Sequence, residues 1–332
     1  MIRKGGNLNI PSNHISMTEF LIREESKSSN YGWKPENRPI KEYIRNGIII
    51  LDKWPGPTSH DVADFIRRKL DLEKAASTGT LDPMVSGILP ITLENSCKLV
   101  ETMQRVDKEY IGIIHFHKDV DEEKLKEVMK KFTGIIKQRP PRISAVSRKL
   151  RKRNIYEIKI LDKLERNYCL RIKCEAGTYI RVLFHQIGEA MKTGAHMKEL
   201  RRTVSGVFTE TEIHKINDVL EAYNVWKQKG DEKALRKVII PMEKFAENMK
   251  KIIVKDSAIY SISQGSPLFT TGISKIQKDI VTKDLVAIFS LKGELIALGI
   301  ANMPAEDMLE KKAAATKIKR VIIDRGIYPK FK

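Results

Sequence analysis

Along GIIILDK (47–53) the apolar positions run together instead of alternating, and three consecutive isoleucines lead the run. That pattern predicts a short strand buried on both faces. WPGPTSH breaks it with two prolines and a glycine. HDVADFIRRKL then reads as a helix with Val62, Phe65, Ile66 and Leu70 on one face. Thr58 and Asp61 form a candidate capping pair at its start. Alternation takes over in EYIGIIHFH (109–117), IYEIKILDKLE (155–165) and YCLRIKCEAGTYIRV (168–182). In the last of these, Tyr168, Leu170, Ile172 and Cys174 share one strand face, opposite Arg171, Lys173 and Cys169. The same spacing puts Tyr179 and Arg181 together on a strand face. KLKEVMKKFTG (124–134) and VLFHQIGEAMK (182–192) read as amphipathic helices between the strands.

These elements predict an α+β fold with one large mixed, mainly antiparallel sheet over residues 46–248. From KKIIVKDSAIYSISQGSPLFTTGI to KRVIIDRGIYPKFK the pattern shifts to short strands and glycine turns. This predicts a second, small β-barrel-like domain of about 80 residues, 249–332. Residues 1–45, with PSN, SSNYG and KPENRPI, predict a polar arm, ordered only where it lies on another part of the chain, here the C-terminal domain.

Composition narrows the function. The chain has 332 residues, 61 basic against 42 acidic, for a net charge of +19 at pH 7. Such an excess draws polyanions, nucleic acid first. KLRKRN (149–154) and ELRRT (199–203) concentrate the cations. No run approaches the roughly 18 apolar residues of a membrane helix. The start, MIRKGGNLNIPSNHIS, lacks the apolar stretch of a secretory signal, so an intracellular, cytoplasmic protein is expected. Three cysteines, Cys97, Cys169 and Cys174, have no zinc spacing, and no structural metal is expected. GxxxxGK[ST], GxGxxG and HExxH patterns are absent, which leaves nucleotide hydrolysis, dinucleotide redox and zinc proteolysis without support.

STGTLDPMVSGILP (77–90) holds one carboxylate, Asp82, in uncharged company. One reading is a turn, which Asp-Pro favours. The other is a catalytic nucleophile or base, kept ionised by a cation and free of a second carboxylate that would raise its pKa. Arg181 in GTYIRVL is the candidate cation, although by spacing alone a surface arginine beside a core tyrosine explains it as well.

LDKWPGPTSHDV, TGTLDPMVSGILP, KEYIG, RPPRISA, CEAGTYIRVLFHQIG and TGAHMKELRRTVSG, in this order, resemble the TruB/dyskerin family of pseudouridine synthases. The tail, from QGSPLFTTGI through VAIFSLKGELIALGIA to RVIIDRGIYP, is similar to the RNA-binding PUA domain that ends these proteins. YGWKPENRPIKEYIRNG is similar to the lead-in of the archaeal, dyskerin-like branch. The resemblance covers residues 30–330. It implies isomerisation of uridine to pseudouridine in RNA without cofactor or metal, on a base turned out of its stack. Asp82 becomes the essential catalytic acid, attacking sugar or ring or acting as base toward the sugar. Arg181 becomes its ion-pair partner, and Tyr110 the residue that packs on the base and serves late proton transfer. The resemblance also implies that Tyr179 supports the site, Leu200 walls the pocket and Lys53 braces the loop. Arg148, Lys149, Arg151, Lys152 and Arg153 fall in the segment that closes over RNA. In the tail, Gly265, Leu268, Gly272, Arg320 and Arg325 are RNA-binding candidates, while Tyr328 fits a stacking or a core role equally.

The branch implies a box H/ACA guide RNA, ribosomal or transfer RNA as substrate, and small partner proteins. Those partners are a glycine-arginine-type protein, a very small zinc-ribbon-like one and a kink-turn-binding one. A stand-alone synthase acting on a transfer RNA loop and a non-catalytic RNA-binding scaffold are the alternatives. Four positions depart from the family pattern. Ala76-Ser77-Thr78 replaces Gly-His-Ser or Gly-His-Thr, and Trp54 stands in place of proline. Ser147 takes the place of a lysine, and Lys283-Asp284 stands where Gly-Asp is common, which implies a different turn geometry there.

Overall fold

The run 47–53 forms the strand Gly47–Lys53, and its apolar side chains are buried on both faces. Ile49 and Leu51 enter the core beneath the helices, while Ile48 and Ile50 join a second apolar layer with Phe245, Phe289 and Leu298. Each such side chain contributes about 1.5–3 kcal/mol when fully buried. This explains why the segment carries no polar alternation. The computed structural model describes residues 19–140 and 149–331.

Two sheets organise the described chain. The larger has ten strands, including Gly47–Lys53, Ser86–Leu93, Ala195–Ser205, Lys108–Phe116, Asn167–Cys174, Arg151–Leu164 and Gly134–Gln138, neighbours in that order. Its pairings are antiparallel except where Ser86–Leu93 meets Ala195–Ser205 in parallel, Ser86 opposite Arg201 and Gly87 opposite Arg202. Gly87 lies at φ 98°, and a Cβ there would collide with the Arg202 carbonyl, so only glycine permits this close junction. The second sheet has seven strands, formed by C-terminal residues and one outlier, Phe20–Ile22. That outlier pairs antiparallel with Ile273–Gln277. The described part of the polar arm therefore adds a strand to the C-terminal sheet, and Arg23 donates to the carbonyls of Met308 and Leu309.

The alternating segment 167–174 buries Tyr168, Leu170, Ile172 and Cys174 and leaves the opposite face half-buried, as its period requires. Ser59–Lys69 is a helix with a capping box from Thr58 and Asp61. Three readings change. Residues 179–182 are not strand. The chain turns at Thr178, whose amide and hydroxyl both donate to the Glu175 carbonyl, and Ile180–Ala190 is a helix with Tyr179 at its N-cap. The C-terminal pattern also contains helices, among them Asp256–Ser263, which buries Ile259 and Ile262 at a helical spacing of three. Lys283 overturns the expected change of geometry: it sits at φ 76°, the left-handed region that glycine favours. No helix among the described residues is long and apolar enough to cross a membrane.

Candidate active site

Asp82 sits in the turn between Ala75–Ser77 and Ser86–Leu93, with the Val85 amide donating to its carbonyl at 2.9 Å. Both sides of the turn are fixed. Ser59, in the first turn of its helix, accepts from the Leu81 amide at 2.9 Å and donates back to the Leu81 carbonyl at 3.2 Å. Lys53, fully buried at the end of its strand, donates to the carbonyls of Trp54, Pro83 and Val85 at 3.0, 2.9 and 3.0 Å. Burial pulls the Lys53 pKa down, and the Asp82 charge pushes it back up. Leu81 and Val85 anchor the turn in the core on either side of the acid. An ammonium satisfied by three carbonyls and a serine bonded in both directions leave the Asp82 backbone little freedom.

The Arg181 guanidinium is hydrogen-bonded and ion-paired to the Asp82 carboxylate. It reaches there from the first turn of the 180–190 helix, not from a strand shared with Tyr179. Tyr179, at the cap, is fixed through its backbone: its amide donates to Gln138 Oε1 at 3.0 Å and its carbonyl accepts from Gln138 Nε2 at 3.1 Å. Asp82 and Arg181 are each 45% exposed. About half of each side chain is open to solvent, because the acid lies on a turn and the arginine in the first turn of a helix.

Tyr110 lies on Lys108–Phe116 directly opposite Arg202 in the register, and it is buried. Burial pushes its hydroxyl pKa up, and the Arg202 charge opposes the shift. Leu200 pairs with Gly112 on the same two strands and packs in the core, where a Cβ on Gly112 would meet its side chain and the Phe184 ring. Met84, two residues after Asp82, is 69% exposed. Among the described residues no cluster of histidine, cysteine or acid groups has the arrangement to hold a metal ion.

Comparison with known proteins adds the decisive observation. The description "TruB family pseudouridylate synthase (N terminal domain)" matches residues 67–180, and "tRNA pseudouridylate synthase B C-terminal domain" matches 181–247. A PUA domain matches 250–322 and a DKCLD domain 9–63. The "Probable tRNA pseudouridine synthase B" of Methanococcus maripaludis is 46% identical over 315 residues, 94% of this chain and 95% of that one. The protein of the same description from Pyrococcus furiosus is 48% identical over 317 residues, 94% and 93% of the two chains. The chain belongs to the TruB family of pseudouridine synthases. Among solved structures of this family, "Crystal Structure of a Cbf5-Nop10-Gar1 Complex" aligns with a TM-score of 0.89 at 46% identity, covering 96% of this chain and 98% of that one. "Structure of H/ACA RNP bound to a substrate RNA containing 2'-deoxyuridine" aligns at 0.88 and 45%, covering 95% and 98%.

The RNA-binding candidates of this TruB-family chain divide by exposure. Lys149 and Lys152 are exposed, and Arg151 is half-buried at the start of its strand. Arg153 is engaged internally, its Nε donating to the Gly177 carbonyl at 3.0 Å. Arg148 lies outside the described residues, as do Ser147 and half of the segment expected to close over RNA. Gly265 is at φ 89° with open space beside it, whereas Gly272 faces the 256–263 helix, where a Cβ would press on Ala258. Leu268 is corrected: at 1% exposure it belongs to the C-terminal core, so its side chain has no surface for RNA. Tyr328 is core as well, donating to Glu294 at 2.6 Å. Arg320 and Arg325 are exposed, and Arg320 Nε donates to the Lys98 carbonyl at 3.2 Å. ELRRT is not a free cationic patch. Arg201 is bound by Asp52 and Glu210, and Arg202 is buried. The signal for Ser59 was local, next to a cap. Nothing local marked Arg202 or Lys108 as interior cations.

Proposed function

We propose that this chain isomerises uridine to pseudouridine in RNA with Asp82 as its catalytic acid. The observation that carries the reading is the Asp82–Arg181 pair on a turn pinned by Lys53 and Ser59. A lone carboxylate held beside a guanidinium stays ionised and aimed, which a nucleophile or base toward the sugar requires. The glycosidic bond passes from N1 to C5 of uracil, so the base turns within the site. Its eversion from the RNA stack costs a few kcal/mol. Tyr110 and Leu200 would meet the everted base, and Tyr179 would support the site. RNA itself would then exclude the water that half-exposure admits. Removing that water strengthens the interaction between Asp82 and Arg181.

The same reading divides the chain into an arm (1–45), a catalytic domain (46–248) and an RNA-binding tail domain (249–332). It assigns a guide RNA and small protein partners by likeness to the complexes above, and Lys149, Arg151, Lys152, Gly265, Arg320 and Arg325 to RNA contact. A compartment inside the cell accords with an RNA substrate. The names of the relatives favour a second substrate mode, direct action on transfer RNA. The test incubates the purified chain with uridine-labelled RNA, with and without guide RNA and partner proteins. Asp82→Asn should abolish product while leaving RNA binding in place. Equal product without guide or partners would remove the guided mode, and undiminished product from Asp82→Asn would remove the catalytic assignment.

A further inference from the structure

We propose that Arg202 is a positioning residue that sets the Asp82 turn and the Tyr110 hydroxyl in one rigid frame, and that its remaining N–H group is spent on Tyr110 during the reaction. The inference rests on the reading above. Arg202 is 1% exposed, and its hydrogen bonds among the described residues are to the frame of the site. Nε donates to the Ile88 carbonyl and Nη1 to the Gly79 carbonyl, each at 2.8 Å, so the guanidinium plane grips the chain on both sides of Asp82. Tyr110 is its cross-strand neighbour. Nη2 is buried and has no hydrogen-bond partner among the described residues.

A buried guanidinium donor left unmade is costly, and native chains rarely keep one without a use. The surroundings sharpen the point. Lys108, 5% exposed, lies beside the same Gly79 and donates to the carbonyls of Gln104, at 2.9 Å, and Val106. Burial, then the Arg202 charge, bring the Lys108 pKa down to about 7. Burial raises the cost of an anion at Tyr110, and the Arg202 charge is what opposes it. Tyr110 is placed to become that anion. The isomerisation requires N1 of uracil to gain a proton and C5 to lose one. A hydroxyl that gives its proton to N1 and takes the one from C5 is unchanged at the end. Between those events it is a phenolate, and an Nη2–H bond to a phenolate is charge-assisted, hence stronger than any bond to the neutral hydroxyl. Arg202 therefore stabilises the reaction's middle more than its beginning.

The test is a double-mutant cycle of Tyr110→Phe and Arg202→Met, read as single-turnover pseudouridine formation and as RNA affinity, with melting curves for each variant. R202M should slow formation by ~100-fold or more while RNA affinity holds. In the Y110F background its further cost should be at least ~tenfold smaller than in the unaltered chain, because the interaction with Tyr110 is already gone and only the bonds to Ile88 and Gly79 remain to be lost. Arg202→Lys, which keeps the charge and loses the fork, should recover melting temperature but not rate. Should R202M fail to fold, R202K takes its place in the cycle. A rate for R202M close to that of the unaltered chain, or the same factor lost with and without Tyr110, overturns the assignment. An unaltered chain that forms no pseudouridine under any condition ends the functional reading itself and this inference with it, whereas an active chain with an additive cycle ends only the role of Arg202.

Discussion

Arg181–Asp82 and Arg38–Glu243 are the same chemical pair in opposite surroundings. The first is 45% exposed on both sides. The second is 4% and 10% exposed, bidentate at 2.9 and 2.7 Å, and Glu243 also accepts the Leu295 amide at 3.0 Å. Arg38 comes from the arm, Glu243 from the segment leading into the C-terminal sheet, and Leu295 from that sheet. This pair stitches three regions together and leaves the carboxylate no room for a further partner. Its neighbour Glu294 repeats the pattern, accepting from the Trp33 amide at 3.1 Å and from Tyr328. At the site the order is reversed. The backbone beneath Asp82 is held by buried bonds, while the carboxylate remains reachable. Burial makes an ion pair structural, and exposure over a rigid base leaves it available for chemistry.

The contrast can be broken at either end. Asp82→Asn should cut turnover by roughly 10^4-fold, the upper range for a positioned acid or base. Its unfolding free energy should move by no more than about 0.5 kcal/mol, because Arg181 is left near water. A large loss of stability in a melting experiment would mean that the pair is structural after all. Glu243→Ala should do the reverse, costing about 3–5 kcal/mol in denaturant titration by leaving Arg38 buried and unpaired, with turnover per folded molecule nearly kept. A cost below about 1 kcal/mol would show the seam to be wet in solution.

Lys53→Met tests the base under the acid. It strands three carbonyls and should cost ~2 kcal/mol, softened by relief of the lysine's own desolvation, together with a fall in turnover that Asp82→Asn would mask in the double variant. The last effect is in pH. Lys108 has a folded-state pKa of about 7, below its ordinary value of 10.5, so the unfolded chain binds the extra proton between those values and stability rises with pH there. Below pH 7 both states carry the proton and the contribution is flat. Above 9 the buried Cys174 thiol, pushed up to about 12, works in the opposite direction. The gain should therefore be read between pH 7 and 9, at up to about 1.4 kcal/mol per pH unit. Lys108→Met should flatten that slope, and an unchanged slope would place the titration elsewhere.

The sequence by itself determined what short-range physics controls. The burial of 47–53 followed from its unbroken apolar run, and the two faces of 167–174 from a period of two. The start of the 59–69 helix followed from one capping box, and the isolation of Asp82 from the absence of charge around it. Tertiary structure decided the rest, because register, approach and desolvation are settled between residues far apart in the chain. The pairing of 20–22 with 273–277 cannot be seen in either segment alone. Gly177 at φ 76° and the turn at Thr178 converted an apparent strand face into a helix start, and only then did Arg181 reach Asp82. Arg202 reads as one more surface cation in ELRRT until a parallel strand junction closes over it and turns it into the interior frame of the site.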